Sequence, residues 1–247
     1  MKKKLTIILL FFSTLSLCQS YDITYNMVQK ANVYNITTNI KCYLYGNKFS
    51  SVYEEDFELK KNIVIKKNDE GIVDDKEIIS LNKNPIYFKD FIGKKVYYQD
   101  QIKFNEFNVI DVLDSIEWKI EKETKVILDY QCQKATCKYK GRDFVVFFTN
   151  EIPVNDGPWK LTGLPGLILE VNSDDKIASF EIKAEKIKIG NKKIALSNIY
   201  EKTEKISFSE FKAIYKKKYE ESLYKIINEN GETRPMSIGF REYFILD

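Results

Sequence analysis

Apolar and polar side chains alternate along most of this chain with the two-residue period of a β-strand. Ile23, Tyr25 and Met27 alternate strictly, and Ile36 to Leu44 mixes apolar with β-branched residues. The spacing predicts two strands there, paired antiparallel. Tyr45-Gly46-Asn47 supplies a turn into a third short strand from Phe49 to Tyr53. Between Lys60 and Lys83 the chain is dominated by Lys, Asn, Asp and Glu and predicts a long exposed excursion.

The stretch from Val96 to Ala184 carries the clearest pattern. Trp118 and Ile120 alternate with Glu117, Lys119 and Glu121, and Val126, Leu128, Tyr130 and Cys132 fall on one face of a second strand. The apolar parity then moves to Ala135, Cys137 and Tyr139, which predicts a bulge near Gln133 and Lys134. Phe144 to Phe148 is apolar on both faces, as expected of a central strand covered on each side. Leu167 to Val171, a turn at Asn172 to Asp175 and a strand with Phe180, Ile182 and Ala184 inward complete a meander of about five strands.

One helix is predicted near the end. Ser207 and Glu210 form a capping box, and Phe211, Ile214, Tyr215, Tyr219, Leu223, Ile226 and Ile227 repeat at helical spacing until Gly231. The expected class is mainly β (α+β): a curved antiparallel meander sheet packed against one long C-terminal helix. Such a sheet closed by a helix is similar to the half-barrel of LolA-type lipoprotein carriers, an analogy of fold that transmits no function.

The amino terminus sets the expected address. Lys2, Lys3 and Lys4 precede an apolar run from Leu5 to Leu17, which reads as a signal peptide over residues 1–18, with 19–247 as a single domain. The run is short of the roughly 20 residues a membrane-spanning helix needs. Leu15-Ser16-Leu17-Cys18 is similar to a lipobox except for the bulky Leu17, so a lipid on Cys18 is the lesser reading. The expected location is secreted, periplasmic or outer-membrane associated, with no transmembrane segment after cleavage.

Cleavage also changes the charge. Of 39 basic residues three leave with the signal, and the remaining 36 balance 36 acidic ones. A chain near neutrality lacks the electrostatic footprint of nucleic-acid binding, and no nucleic-acid partner is expected. Histidine is absent altogether, which removes Ser-His-Asp and Cys-His catalysis and the commonest zinc ligand. No metal and no cofactor are expected. Cys42, Cys132 and Cys137 remain after cleavage. Cys132 and Cys137 lie roughly 16 Å apart on an extended strand and cannot bond to each other. A bridge would join Cys42 to one of them; the alternative is three buried thiols.

Glu151 to Gly166 holds three of the five prolines and three of the ten glycines. Pro153 and Pro158 preset φ, while Gly157, Gly163 and Gly166 permit turns that side chains forbid. Gly163-Leu164-Pro165-Gly166-Leu167-Ile168 reads GLPGLI, and here the chain resembles the GLPGLI family of secreted Bacteroidetes-type proteins. Gly141-Arg142, Glu151-Ile152-Pro153 and Gly157-Pro158-Trp159 resemble the same family, as do Trp118, Lys125, Tyr130, Cys132, Lys134 and Ala135. The resemblance covers residues 116 to 172. It implies an envelope protein of unknown role and brings no reaction. Cys42 and Cys137 stand outside the family pattern, which favours pairing them.

Two roles suit the motif loop. As structure, Trp159, Leu161 and Leu164 plug the open end of a curved sheet; as a binding surface, Arg142, Pro153, Gly157, Pro158, Trp159, Gly163, Leu164, Pro165 and Gly166 meet a partner. Exposure of Trp159 separates them. Arg142 reads as a surface residue beside a turn, or as a tie to backbone carbonyls or Asp156. The leading functional expectation is a non-enzymatic envelope protein that holds an apolar ligand or an envelope protein partner. The alternatives are a carboxylate-dependent hydrolase using Glu151, Asp156 or Glu170, and an accessory of outer-membrane transport or secretion.

Overall fold

The computed structural model describes residues 20–31, 36–57, 84–102, 105–174, 178–190 and 196–218. The expected signal peptide over 1–18 with Cys18, the excursion from Lys60 to Lys83 and the helical repeat beyond residue 218 lie outside the described residues. Among those residues no helix is long and apolar enough to cross a membrane.

Among the described residues twelve strands form one curved sheet. The first meander runs through β1 (Ser20–Ala31), β2 (Ile36–Gly46), β3 (Ser50–Asp56), β4 (Ile86–Asp90), β5 (Lys95–Ile102) and β6 (Asn105–Val112). The second runs through β7 (Lys119–Ile127), β8 (Tyr130–Tyr139), β9 (Arg142–Thr149), β10 (Leu167–Asp174) and β11 (Ala178–Gly190). They join where β11 lies antiparallel to β1, from Ser20 opposite Gly190 to Ala31 opposite Ala178. A two-residue β12 (Ile206–Ser207) pairs parallel with β6, the one parallel ladder among the described strands.

The alternation places side chains as the sequence predicts. Tyr21, Ile23, Tyr25 and Met27 of β1 and Ile40, Cys42 and Leu44 of β2 face the inner side, and Phe180, Ile182 and Ala184 of β11 join them. Burying this face is the main drive for folding. A second cluster forms where helix α1 (208–218) lays Phe211 and Tyr215 on Val96, Tyr98, Ile102 and Val109 of β5 and β6. Its capping box is present: the Ser207 hydroxyl accepts from the Glu210 amide at 3.2 Å, and the Glu210 carboxylate accepts from the Ser207 amide at 2.8 Å. Behind the sheet, Tyr200 covers Val52 and Phe88.

Three local expectations are corrected, the first being the turn expected at Asn172 to Asp175: Asn172, Ser173 and Asp174 continue β10 and pair with β11. Leu128 and Asp129 do not continue a strand: both take left-handed φ and form a two-residue turn, with Ile127 opposite Tyr130. Val126, expected on one face with Cys132, is exposed while Cys132 is buried. A register shift does fall at Gln133 and Lys134, but against β7 and with the extra residues on β7, since Ile120 stands opposite Ala135 and Thr124 opposite Gln133, while β8 runs in unbroken register with β9. Both faces of β8 are covered in turn, Cys132 on one side and Ala135, Cys137 and Tyr139 on the other. The irregularity sits in β7, between Ile120 and Thr124. β9 is the covered central strand expected: Phe144 packs on Trp159, and the Lys125 ammonium lies 3.8 Å from the Phe147 ring centre on the other side.

Candidate functional site

The 150–166 loop leaves β9, crosses the concave side of the sheet and re-enters at β10. Short-range bonds fold it: the Val154 amide donates to the Ile152 carbonyl at 2.8 Å, the Asp156 amide to Val154 at 3.0 Å and the Leu161 amide to Pro158 at 3.1 Å. The amides of Leu167 and Ile168 then donate to the carbonyls of Ile152 and Asp156, which sews the loop to the start of β10. Gly166 is required by close approach, since a Cβ there would stand 2.0 Å from the Thr149 carbonyl oxygen. Gly163 takes φ of 102° and lies against Trp118, whose indole donates to the Thr162 carbonyl at 2.8 Å.

The loop is a plug. Trp159, Leu161 and Leu164 are at most 2% exposed and belong to the main core with Ile152 and Val154. Trp159 stacks on Phe144 at 6.0 Å between ring centres and meets Tyr139 edge-on at 5.8 Å. Of the predicted surface residues, Gly157, Pro158, Trp159, Leu164 and Gly166 are buried, while Pro153, Gly163 and Pro165 are exposed. The loop therefore does not present its apolar side chains outward.

Two buried ion pairs of opposite sense pin it. Asp156 of the loop, 1% exposed, receives the ammonium of Lys89 from β4 and the hydroxyl of Tyr21 from β1, the latter at 2.6 Å. Lys89 also donates to the Gly157 carbonyl at 2.6 Å. Burial pushes the Lys89 pKa down while Asp156 pulls it back up, and burial next to Asp156 raises Tyr21 well above the usual phenol range. Four residues on from Asp156, Lys160 of the loop reaches Asp111 of β6 at 3.2 Å, with the Tyr98 ring centre 4.0 Å away. Lys140 from the β8–β9 turn reaches the same Asp111 oxygen at 3.1 Å. Each end of the plug thus carries one charge matched by the opposite charge from the sheet. Trp159 between them holds φ of 55°, a strained value for a residue with a Cβ.

Arg142 is not a surface residue. It is 2% exposed and donates to Ser173 Oγ at 3.0 Å and to the Ala178 carbonyl at 2.7 Å, with its guanidinium 4.9 Å from the Phe180 ring centre. It fastens β9 to the end of β10 and the start of β11, through a backbone carbonyl that does not belong to the loop.

The Cys42–Cys137 bridge is corrected. Cys42, Cys132 and Cys137 are free and buried, and four strands stand between β2 and β8 in the sheet order. Burial pushes the Cys132 thiol up to about 11 and the Cys137 thiol up to about 12, so both are unreactive apolar groups.

The three candidate carboxylates do not converge as one group: Asp156 sits in the plug, while Glu151 and Glu170 both act on Cys132. Asp156 is committed to Lys89 and Tyr21, and Glu170 to Lys125 at 2.5 Å and Asn172 at 3.0 Å. Exposed Glu151 accepts from the Gln131 amide at 2.8 Å. Among the described residues no group of three or more Cys, Asp or Glu is placed to hold a metal ion.

Sequence reasoning missed Lys89, Lys160, Asp111 and Tyr21 as parts of this site. A signal existed in β4, where Lys89 occupies the inward phase shared with Tyr87.

A family model described as N-glycanase peptide, N-terminal domain, matches residues 60–211. That span includes the whole of the 116–172 segment. No curated protein matches the chain. Among solved structures, PNGF-II in space group C2 aligns at 18% identity with a TM-score of 0.51, over 81% of this chain and 33% of its own. The P21 form aligns at 17% identity and 0.51, over 81% and 34%. A DUF1329 family protein from Desulfovibrio piger aligns at 7% identity over 76% of this chain and 91% of its own, with a TM-score of only 0.31. The chain therefore spans about a third of the length of PNGF-II and shares the fold of that part.

Proposed function

The chain belongs to the family of N-glycanase N-terminal domains, and from that premise we propose that it is a non-enzymatic module of an exported envelope protein, binding a protein partner by its outer surfaces. One observation carries this reading. The concave side, where a carrier would hold an apolar ligand, is filled by the protein's own loop, with Trp159 2% exposed and Asp156 paired to Lys89. Against catalysis, each candidate carboxylate near the loop already serves a structural bond.

The charged start and apolar run of residues 2–17 support the exported address. The residues from Trp118 to Ile168 support kinship with the GLPGLI family as part of the same proposal. The family description directs the choice of partner: an N-glycosylated protein is the class to test.

Native mass spectrometry of protein purified from its own envelope gives the first test, with the bare polypeptide mass expected. The second mixes the purified chain with an N-glycosylated protein and with its deglycosylated form. Binding to the glycosylated form with no release of glycan is expected, and Trp159→Ala and Leu164→Ala should bind equally below their melting temperatures. A stoichiometric lipid-like mass that is lost on denaturation, or catalytic release of glycan, would overturn the reading.

A further inference from the structure

One rim of the sheet collects apolar side chains in water. Eight large apolar residues are exposed among the described ones, and four of them, Phe49, Ile92, Val112 and Ile189, lie at the same end of adjacent strands. Their contiguity follows from the ladder. Tyr21 stands opposite both Ile189 of β11 and Gly46 of β2. The Phe91 amide donates to the Phe49 carbonyl at 3.0 Å, joining the β2–β3 and β4–β5 turns. Lys95 stands opposite Val112, and the Leu113 amide donates to the Lys94 carbonyl at 2.9 Å.

The two turns that hold these side chains out are built, not loose. The Asn47 side-chain oxygen accepts from the amides of Phe49 at 2.8 Å and Ser50 at 3.1 Å. The Asp90 carboxylate accepts from Ile92 at 3.1 Å and Gly93 at 2.9 Å. Turn tips are ordinarily polar, so an isoleucine 73% exposed at a rigid tip is an exception that asks for a second surface. The exposed charges beside the tips are mostly cationic: Lys48, Lys94, Lys95 and Lys188 outnumber Asp90, which binds its own turn opposite Lys95, Asp22, 3.7 Å from Lys188, and Asp114, 3.7 Å from Lys140.

We propose that this rim, with Phe49, Ile92, Val112 and Ile189 at its crest and Lys48, Lys94 and Lys95 around it, docks on an anionic lipid surface. Apolar tips enter the headgroup boundary, and the ammonium groups meet lipid phosphates at the same level. Ser20, the first residue of β1, sits on this rim opposite Gly190. The docking does not depend on a glycoprotein partner, and each can fail without the other.

The test uses the full chain with Cys18→Ser, carrying an environment-sensitive fluorophore at Ile92→Cys or, in a separate protein, at Glu106→Cys. Glu106 lies on the Val112 strand, six residues away at roughly 20 Å. Phosphatidylcholine vesicles with and without phosphatidylglycerol are added at low and high salt. The expected result is a blue shift at position 92 with the anionic vesicles only, weakened by salt, and none at 106. A triple Lys48→Glu, Lys94→Glu, Lys95→Glu variant should lose at least roughly 100-fold in vesicle partition, with unchanged circular dichroism as the control for folding. An unshifted position 92, equal shifts at both positions, or a shift indifferent to lipid charge and salt would overturn the proposal. So would a shift produced by lipid-free envelope protein but not by vesicles, which would assign the rim to a protein.

Discussion

Lys89 on β4 and Asp156 in the plug, 67 residues apart in sequence, meet as a fully buried ion pair. Breaking such a pair from one side strands a charge in a low-dielectric interior, which costs about 3–5 kcal/mol, whereas removing both partners is close to neutral. Asp156→Asn is therefore expected to destabilise by that amount in urea unfolding. Lys89→Met combined with Asp156→Asn, which leaves an acceptor for Tyr21, should recover most of the loss. A double variant no more stable than the single one would show that the pair's value lies elsewhere than in charge compensation.

Gly166 tests the seat of the plug in a different way. Any Cβ at this position drives into the Thr149 carbonyl, and backbone cannot swing aside as a flexible side chain can. Gly166→Ala should cost at least about 2 kcal/mol. Gly163→Ala meets only the edge of Trp118 at 3.2 Å and should cost less, chiefly from its φ of 102°. Equal thermal shifts for the two would refute the ranking.

Alkaline stability should report Tyr200. Burial pushes this phenol up to about 12, and its hydroxyl donates to the Ile86 carbonyl at 2.9 Å. Between the ordinary phenol value near 10 and about 12, the folded state keeps a proton that the unfolded state has lost. Stability must then fall as pH rises through that window. Tyr200→Phe should flatten the decline in chemical unfolding measured from neutral to alkaline pH, and an unchanged slope would remove Tyr200 as its source.

The thiols give a counting experiment. In a Cys18→Ser background at mildly alkaline pH, a thiol reagent should find no reactive cysteine in the folded protein. All of Cys42, Cys132 and Cys137 should react after unfolding without reductant. Recovery of a single thiol would mean that a bridge forms after all.

Alternation and capping made much of the fold legible. Ile23, Tyr25 and Met27 on β1, Phe180, Ile182 and Ala184 on β11 and the Ser207–Glu210 box all stand as their spacing predicts, because each is set by local geometry. The turn at Leu128 and Asp129 was illegible, since it uses left-handed backbone without the glycine or asparagine that normally betrays it. Buried Arg142, Lys89 and Lys160 were illegible for another reason. A charged side chain reads as solvent-facing until its partner is known, and their partners Ala178, Asp156 and Asp111 lie 36, 67 and 49 residues away. The apolar residues of the GLPGLI motif, Leu164, Leu167 and Ile168, face the core.

The ladder between β1 and β11 also dictates a timetable. Ser20 must wait for Gly190, 170 positions later, before either strand has its neighbour on that side. Contacts so distant along the chain form slowly, because the intervening loop must close before any bond repays it. During that interval β1 has β2 on one side only and exposes an unsatisfied edge that carries Tyr21, Ile23 and Tyr25. Maturation of this protein is consequently a race between ring closure and strand capture by neighbours, one that a chaperone shielding the first hairpin would decide.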